Sequence, residues 1–259
     1  MRLSSILAAI RSRRWRTGAA AVAAVILAAL AADNVAASRA EARLSAAAQA
    51  YDHLAYPPDT YIGAFPFTAT LLTDSVPRLS LSTLDAPVED LGVVNATAEA
   101  FDIDIPGKRV LAADFEGGEA TLVRRRIRLD GVAFGQLLGM TDLDISNPYD
   151  ISPLGGVASE AHLTGTVPGT DRPSTVVVTL RIDNGTFVMR PSMLLDAPPG
   201  ASPEDVLAAF TLSRDTRDLP LGGPADLVQV SGGSIEFSRD RINVTLTADD
   251  LTPLAPTKQ

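Results

Sequence analysis

From residue 76 onward, apolar and polar residues alternate with a period of two. Leu79 and Leu81 alternate with Arg78, Ser80 and Ser82; Phe101, Ile103 and Ile105 with Asp102 and Asp104; Ile127 and Leu129 with Arg126 and Arg128. Val176, Val178, Leu180 and Ile182 repeat the pattern, residues 185–190 follow it, and Ile235 and Phe237 face Ile242, Val244 and Leu246 across an expected turn at Arg239-Asp240. Successive strand side chains point to opposite faces, so this pattern describes half-buried strands with one wet side. Long antiparallel meanders are what such a chain can form.

Ahead of the strands the period changes. Ser38-Arg39-Ala40-Glu41 has the form of a capping box, which predicts a helix start there. Leu44, Ala47, Ala48, Tyr51, Leu54 and Ala55 recur at three- and four-residue spacing, and Pro57-Pro58 closes a helix of about 18 residues. Its apolar face is rich in alanine, so its partner can approach closely. Two shorter helices interrupt the meander. One is expected over residues 131–139; the other begins with Ser202 as cap, Pro203 at the first position, and Glu204 and Asp205 at the positive end of the dipole. Residues 148–156 and 165–173 read as loops. The fold class is α+β, a long curved antiparallel sheet, barrel-like, wrapped around a long N-terminal helix. One domain is expected over residues 38–254, with a tail over 255–259.

Residues 1–37 read differently. Arg2, Arg11, Arg13, Arg14 and Arg16 precede an uncharged run over residues 18–32, which is the charged-then-apolar order of an export signal. Fifteen helical residues reach about 22 Å, short of a hydrocarbon core of about 30 Å, which favours a cleaved signal peptide. Val35-Ala36-Ala37 offers a small-residue cleavage site before Ser38. Helix extending to Ala37, with Asp33 the only charge on the way, would instead stay as a signal anchor. Either way the arginines stay in the cytoplasm and the body is exported. That body is acidic. Beyond Ala37 it holds 17 basic and 30 acidic residues, a balance of −13, which repels nucleic-acid phosphates and sets that partner aside.

Groups able to do chemistry are scarce. There is no cysteine, hence no disulfide, thiolate metal site or catalytic thiol, and only two histidines, His53 and His162, both read as structural. No nucleophile elbow, zinc motif, dinucleotide fingerprint or phosphate loop is present. The oxygen-rich segment 142–147 lacks the turn glycine and terminal glutamate of an EF-hand loop. No catalytic residue, cofactor or metal is therefore assigned. Two other readings stay open: an envelope enzyme acting on glycan or lipid through a carboxylate pair, and a packed β-barrel that binds a protein partner.

The chain has only eight Phe, four Tyr and one Trp, yet places two of its phenylalanines in Gly63-Ala64-Phe65-Pro66-Phe67-Thr68-Ala69-Thr70-Leu71-Leu72-Thr73. This segment reads as a turn, an extended Phe-Pro-Phe and a short helix that ends before Pro77. As a core plug it would close one end of a barrel; as a cavity border it would put Phe65, Pro66, Phe67, Leu71 and Leu72 against a lipid chain. A head group at the mouth would meet Arg78 or the arginine run, in particular Arg124 and Arg126.

Phe65-Pro66-Phe67 followed by Leu71-Leu72, behind an export segment and a long helix, resembles the signature of the actinobacterial LmeA-type phospholipid-binding family. Leu219-Pro220-Leu221-Gly222, Val228-Gln229-Val230 and Gly232-Gly233-Ser234-Ile235 resemble its C-terminal part. Ala64 departs from the pattern as an insertion, and Asp74 stands where a glycine is usual. The resemblance implies a tubular lipid-binding (TULIP) fold, phospholipid as ligand, residence in the cell envelope outside the cytoplasm, membrane contact through the N-terminal segment if it is retained, and a part in the maturation of envelope mannolipids (lipomannan and lipoarabinomannan) beside an envelope glycosyltransferase.

Overall fold

The computed structural model describes residues 3–147 and 159–255. The loop expected over 148–156, and all but the first residue of the tail expected over 255–259, lie outside the described residues.

The N-terminal helix, α1, spans Leu3–Asp52 without interruption. The helix start expected at Ser38 is therefore wrong. Residues 38–41 lie in mid-helix, where no free amides await a cap, and Glu41 accepts instead from the amide of Ile62 at 3.0 Å. Alanine-rich sequence on both sides lets the helix run through, since alanine loses least on entering a helix. α1 ends before the two prolines: His53 adopts φ 53° and the Leu54 amide reaches back to the Gln49 carbonyl at 3.1 Å, the left-handed close of a Schellman turn.

Eleven strands follow among the described residues: β1 (Asp59–Ile62), β2 (Ser75–Val88), β3 (Gly92–Asp104), β4 (Glu119–Asp130), β5 (Asp144–Ser146), β6 (Glu160–Gly165), β7 (Ser174–Asp183), β8 (Thr186–Asp196), β9 (Leu212–Asp215), β10 (Leu227–Ser231) and β11 (Ser234–Thr245). They make two antiparallel sheets, one in the order β1-β2-β3-β4-β11-β10 and one in the order β5-β6-β7-β8-β9. Short helices α2 (Thr70–Thr73), α3 (Gly107–Ala112), α4 (Gly131–Leu137) and α5 (Pro203–Ala209) join them. The caps of the last two follow side-chain chemistry: Asp130 accepts from the Ala133 amide at 2.8 Å, and Ser202 from the Asp205 amide at 3.4 Å.

The turn expected at Arg239-Asp240 is wrong as well. β11 passes straight through these residues, with Arg239 opposite Arg125 and Asp240 opposite Arg124. Asp240 is held in the strand by two bonds from Arg124, at 2.8 and 2.6 Å. The chain reverses at Gly232 and Gly233, both with positive φ, which pair Ser231 with Ser234. A third departure concerns Phe101. Buried positions step from Val76 to Leu79, from Ala100 to Ile103 and from Ala120 to Val123, so the alternation slips at one level of three neighbouring strands, next to Asp102 at φ 48°. Ile103 and Ile105 face the core as expected, while Phe101 lies half-buried beneath the Arg78 guanidinium, 5.8 Å from its ring centre.

Two apolar cores result. One joins the second sheet with α4, α5 and the far ends of β4, β10 and β11, around Phe134, Phe187 and Phe237. Its rings meet edge to face at 6.1 and 5.1 Å. The other lies under α1, where Ala40, Leu44 and Ala48 pack on Phe67, Leu79, Leu81, Ile103 and Val123.

Candidate functional site

Asp33 is the first buried side chain along α1 among the described residues. Its carboxylate accepts from the amides of Phe67 and Thr68, at 2.8 and 2.7 Å, and from the Thr68 hydroxyl at 2.7 Å. A 3₁₀ turn over Phe67–Ala69 has free amides at its start, and a carboxylate is the strongest acceptor for them. The Phe-Pro-Phe segment is thus pinned to α1 where that helix leaves the body; Val22, Val25, Ile26 and Leu27, one to three turns earlier, are exposed.

The pinning divides the segment. Phe67 is 1% exposed and belongs to the core under α1, whereas Phe65 is 80% and Leu72 90% exposed, with Pro66 and Leu71 also at the surface. Asp74 explains the missing glycine. It takes the left-handed conformation a glycine would take, at φ 50°, and its carboxylate also accepts from the Gly107 amide at 2.8 Å. Gly107 in turn has no room for a side chain, since a Cβ there would stand 2.2 Å from the Thr70 carbonyl oxygen. α2, which carries Leu71 and Leu72, is therefore seated closely against α3.

The arginines separate by parity along β4. Arg124, Arg126 and Arg128 face outward with Arg78 of β2, and Arg125 faces inward. Arg78 and Arg126 converge on one carboxylate, Glu99, which is 2% exposed. With Asn95, Thr97 and Arg128 they line a groove of about 230 Å³. Arg124 stands apart, paired with Asp240, which holds its guanidinium above the ordinary value. Arg78 is tied to the Phe-Pro-Phe segment directly, for its carbonyl accepts from the Gly63 amide at 2.7 Å. Two of the three arginines expected at a head group thus share one groove beside that segment, and the third does not.

Along α1 the seam with the sheet continues toward the helix C-terminus. There Leu44, Ala47, Ala48 and Tyr51 face Phe115 and Leu251 around a hollow of about 130 Å³. Small side chains keep the helix close to its neighbours and leave little bulk to displace. Among the described residues no group of three His, Asp or Glu side chains is placed to hold a metal. Asp142 bonds the amide and hydroxyl of Thr166, at 2.8 and 2.6 Å, and those bonds hold its carboxyl below the ordinary value.

Two features escaped sequence reasoning. Asp33 left one signal, a lone charge closing an apolar run. Arg125 left none, because nothing in an arginine run says which member turns inward.

A long helix packed on antiparallel sheets around apolar cores is consistent with a tubular lipid-binding fold. The model of the LmeA-like phospholipid-binding family matches residues 31–238, four-fifths of the chain, and the protein belongs to that family. No curated protein and no solved structure matches the chain significantly. The helical stretch beginning at Ala20 is long and apolar enough to cross a membrane, and its apolar window is almost entirely unburied.

Proposed function

We propose that this is a non-catalytic, exported phospholipid-binding protein, held at the outer side of a membrane by residues 18–32. In this reading an acyl chain enters beside Phe65, Pro66 and Phe67 and lodges in the seam between α1 and the first sheet. Leu71 and Leu72 rest against the membrane, and Arg78 and Arg126 meet the head group. The observation that carries the reading is the division of one pinned segment into a buried Phe67 and an exposed Phe65 and Leu72, beside the point where the apolar part of α1 begins. Exposed large apolar side chains at such a place suit a bilayer surface. An acyl chain needs no charged ligand group, since each methylene moved out of water contributes about 0.8 kcal/mol.

The same reading keeps Asp33 in the working protein. Removal of residues 1–37 would leave the amides of Phe67 and Thr68 without their acceptor, so the segment stays as an anchor. In the envelope such a protein would present lipid to a membrane glycosyltransferase that builds mannolipids.

A vesicle assay tests this. With a fluorescent phospholipid moving between vesicles, the protein should accelerate transfer, and Phe65→Ser with Leu72→Ser should slow that transfer severalfold at unchanged melting temperature. Transfer at the wild-type rate in the doubly substituted protein would refute the entry route.

A further inference from the structure

Three arginines of β4 and β11 share one patch on the inward side of the first sheet, at the waist between the two cores. Arg125 and Arg239 are direct cross-strand partners, and Arg241 lies two residues further along β11. Like charges placed opposite each other in a sheet repel, and here they do so out of water, since Arg125 is only 3% exposed. Carboxylates stand near them, Asp52 and Asp226 included, yet their bonds are largely spent elsewhere. Asp250 bonds Arg241, lies 3.9 Å from Arg125, and spends its other oxygen on the Thr247 amide and hydroxyl. Asp249 gives one oxygen to the Tyr51 hydroxyl at 2.6 Å, and only its backbone carbonyl serves Arg125. Arg239 has the Gly222 carbonyl. The Nη1 of Arg125 is buried and has no hydrogen-bond partner.

These groups line a cavity of about 560 Å³ together with Arg217, Asp218, Leu219, Leu221, Gly222 and Gly223. Gly223 adopts φ 151°, a conformation that side-chain-bearing residues rarely take, and it lies against the Arg239 guanidinium. Burial, with Arg241 adding to it, pulls both Arg125 and Arg239 below the ordinary guanidinium value, against the opposing pull of the nearby carboxylates.

The geometry points to an anion site in this cavity, taking the phosphate of a phosphate ester whose small organic part lies on Leu219 and Leu221. Guanidinium groups match phosphate oxygens in pairs, and a phosphate would supply the missing acceptor for the Nη1 of Arg125. The cavity adjoins Tyr51 and Asp249, near the C-terminus of α1; nineteen helical residues, about 28 Å, separate Tyr51–Asp52 from Asp33. The site lies on the face of the first sheet opposite the Arg78–Arg126 groove, because Arg125 and Arg126 are neighbours on β4 that point to opposite sides. The phosphate could belong to a lipid head group or to a free ester, and the chemistry of recognition is the same.

Isothermal titration calorimetry on the full chain in uncharged detergent micelles tests this with inorganic phosphate, against sodium chloride at equal ionic strength. Saturable phosphate binding is expected, weakened at least tenfold by Arg125→Gln and by Arg239→Gln. Should Arg125→Gln fail to fold, Arg239→Gln alone decides, because that side chain is only partly buried. No phosphate heat beyond the chloride control, or wild-type affinity in Arg239→Gln, overturns the site. Glycerol 3-phosphate and dihexanoyl phosphatidylglycerol then separate the sources. Tenfold tighter binding of the short-chain lipid assigns a lipid head group, and equal binding assigns a free ester. Failure here leaves the vesicle transfer result untouched.

Discussion

Phe65 and Phe67 are two residues apart and do opposite things. Phe67 fills the core beneath α1, so Phe67→Ala should cost about 3–5 kcal/mol through lost transfer energy and a cavity. Phe65 is largely exposed, and Phe65→Ala should change stability by less than about 0.5 kcal/mol while weakening binding to phospholipid vesicles. Denaturant unfolding and vesicle sedimentation of the two variants check the contrast; equal destabilisation would contradict it. Asp33 acts on the same segment from α1. Asp33→Ala strands the buried amide of Phe67 and should cost about 1–3 kcal/mol, with faster hydrogen exchange at the Phe67 and Thr68 amides as its local sign. Part of this was legible: the aromatic concentration marked the segment, and its helical turn was expected. Which phenylalanine turns inward was not legible, because it depends on a carboxylate 34 residues upstream.

At the scale of elements, side-chain periodicity located most strands and local chemistry located the short helices. α5 was fully readable because cap, proline and first-turn acids all stand next to one another in the sequence. β11 was misread at its middle because Arg239-Asp240 has turn composition, and only the partner strand, through Arg124, shows why it stays extended. α1 was misread at its start for a related reason: a capping box signals a helix end only where amides are free. This continuity has a consequence. A chain that starts at Ser38 lacks Asp33 and should melt at a lower temperature than one that starts at Ala32, and an equal melting temperature would contradict the pinning of the Phe-Pro-Phe segment. The α2–α3 contact makes a second test. Gly107→Ala forces a methyl group against the Thr70 carbonyl and should cost about 1–3 kcal/mol, with exchange protection lost first in the turn that carries Leu71 and Leu72.

At the scale of the molecule, the chain gathers arginines into clusters within an acidic whole. The chain beyond Ala37 is strongly acidic in balance, yet Arg78, Arg126 and Arg128 gather in one groove beside the Phe-Pro-Phe segment, and Arg125, Arg239 and Arg241 gather at the waist. Two arginine clusters in an acidic protein that belongs to a phospholipid-binding family suit a ligand with an apolar chain and an anionic head. The most direct measurement is native mass spectrometry with lipid extraction on residues 32–259 purified without detergent, after incubation with phospholipid vesicles. The account predicts a folded protein carrying phospholipid in a fixed stoichiometry, and less of it when Ala48→Trp fills the seam beneath α1. A folded wild-type protein that neither carries nor takes up phospholipid would contradict it.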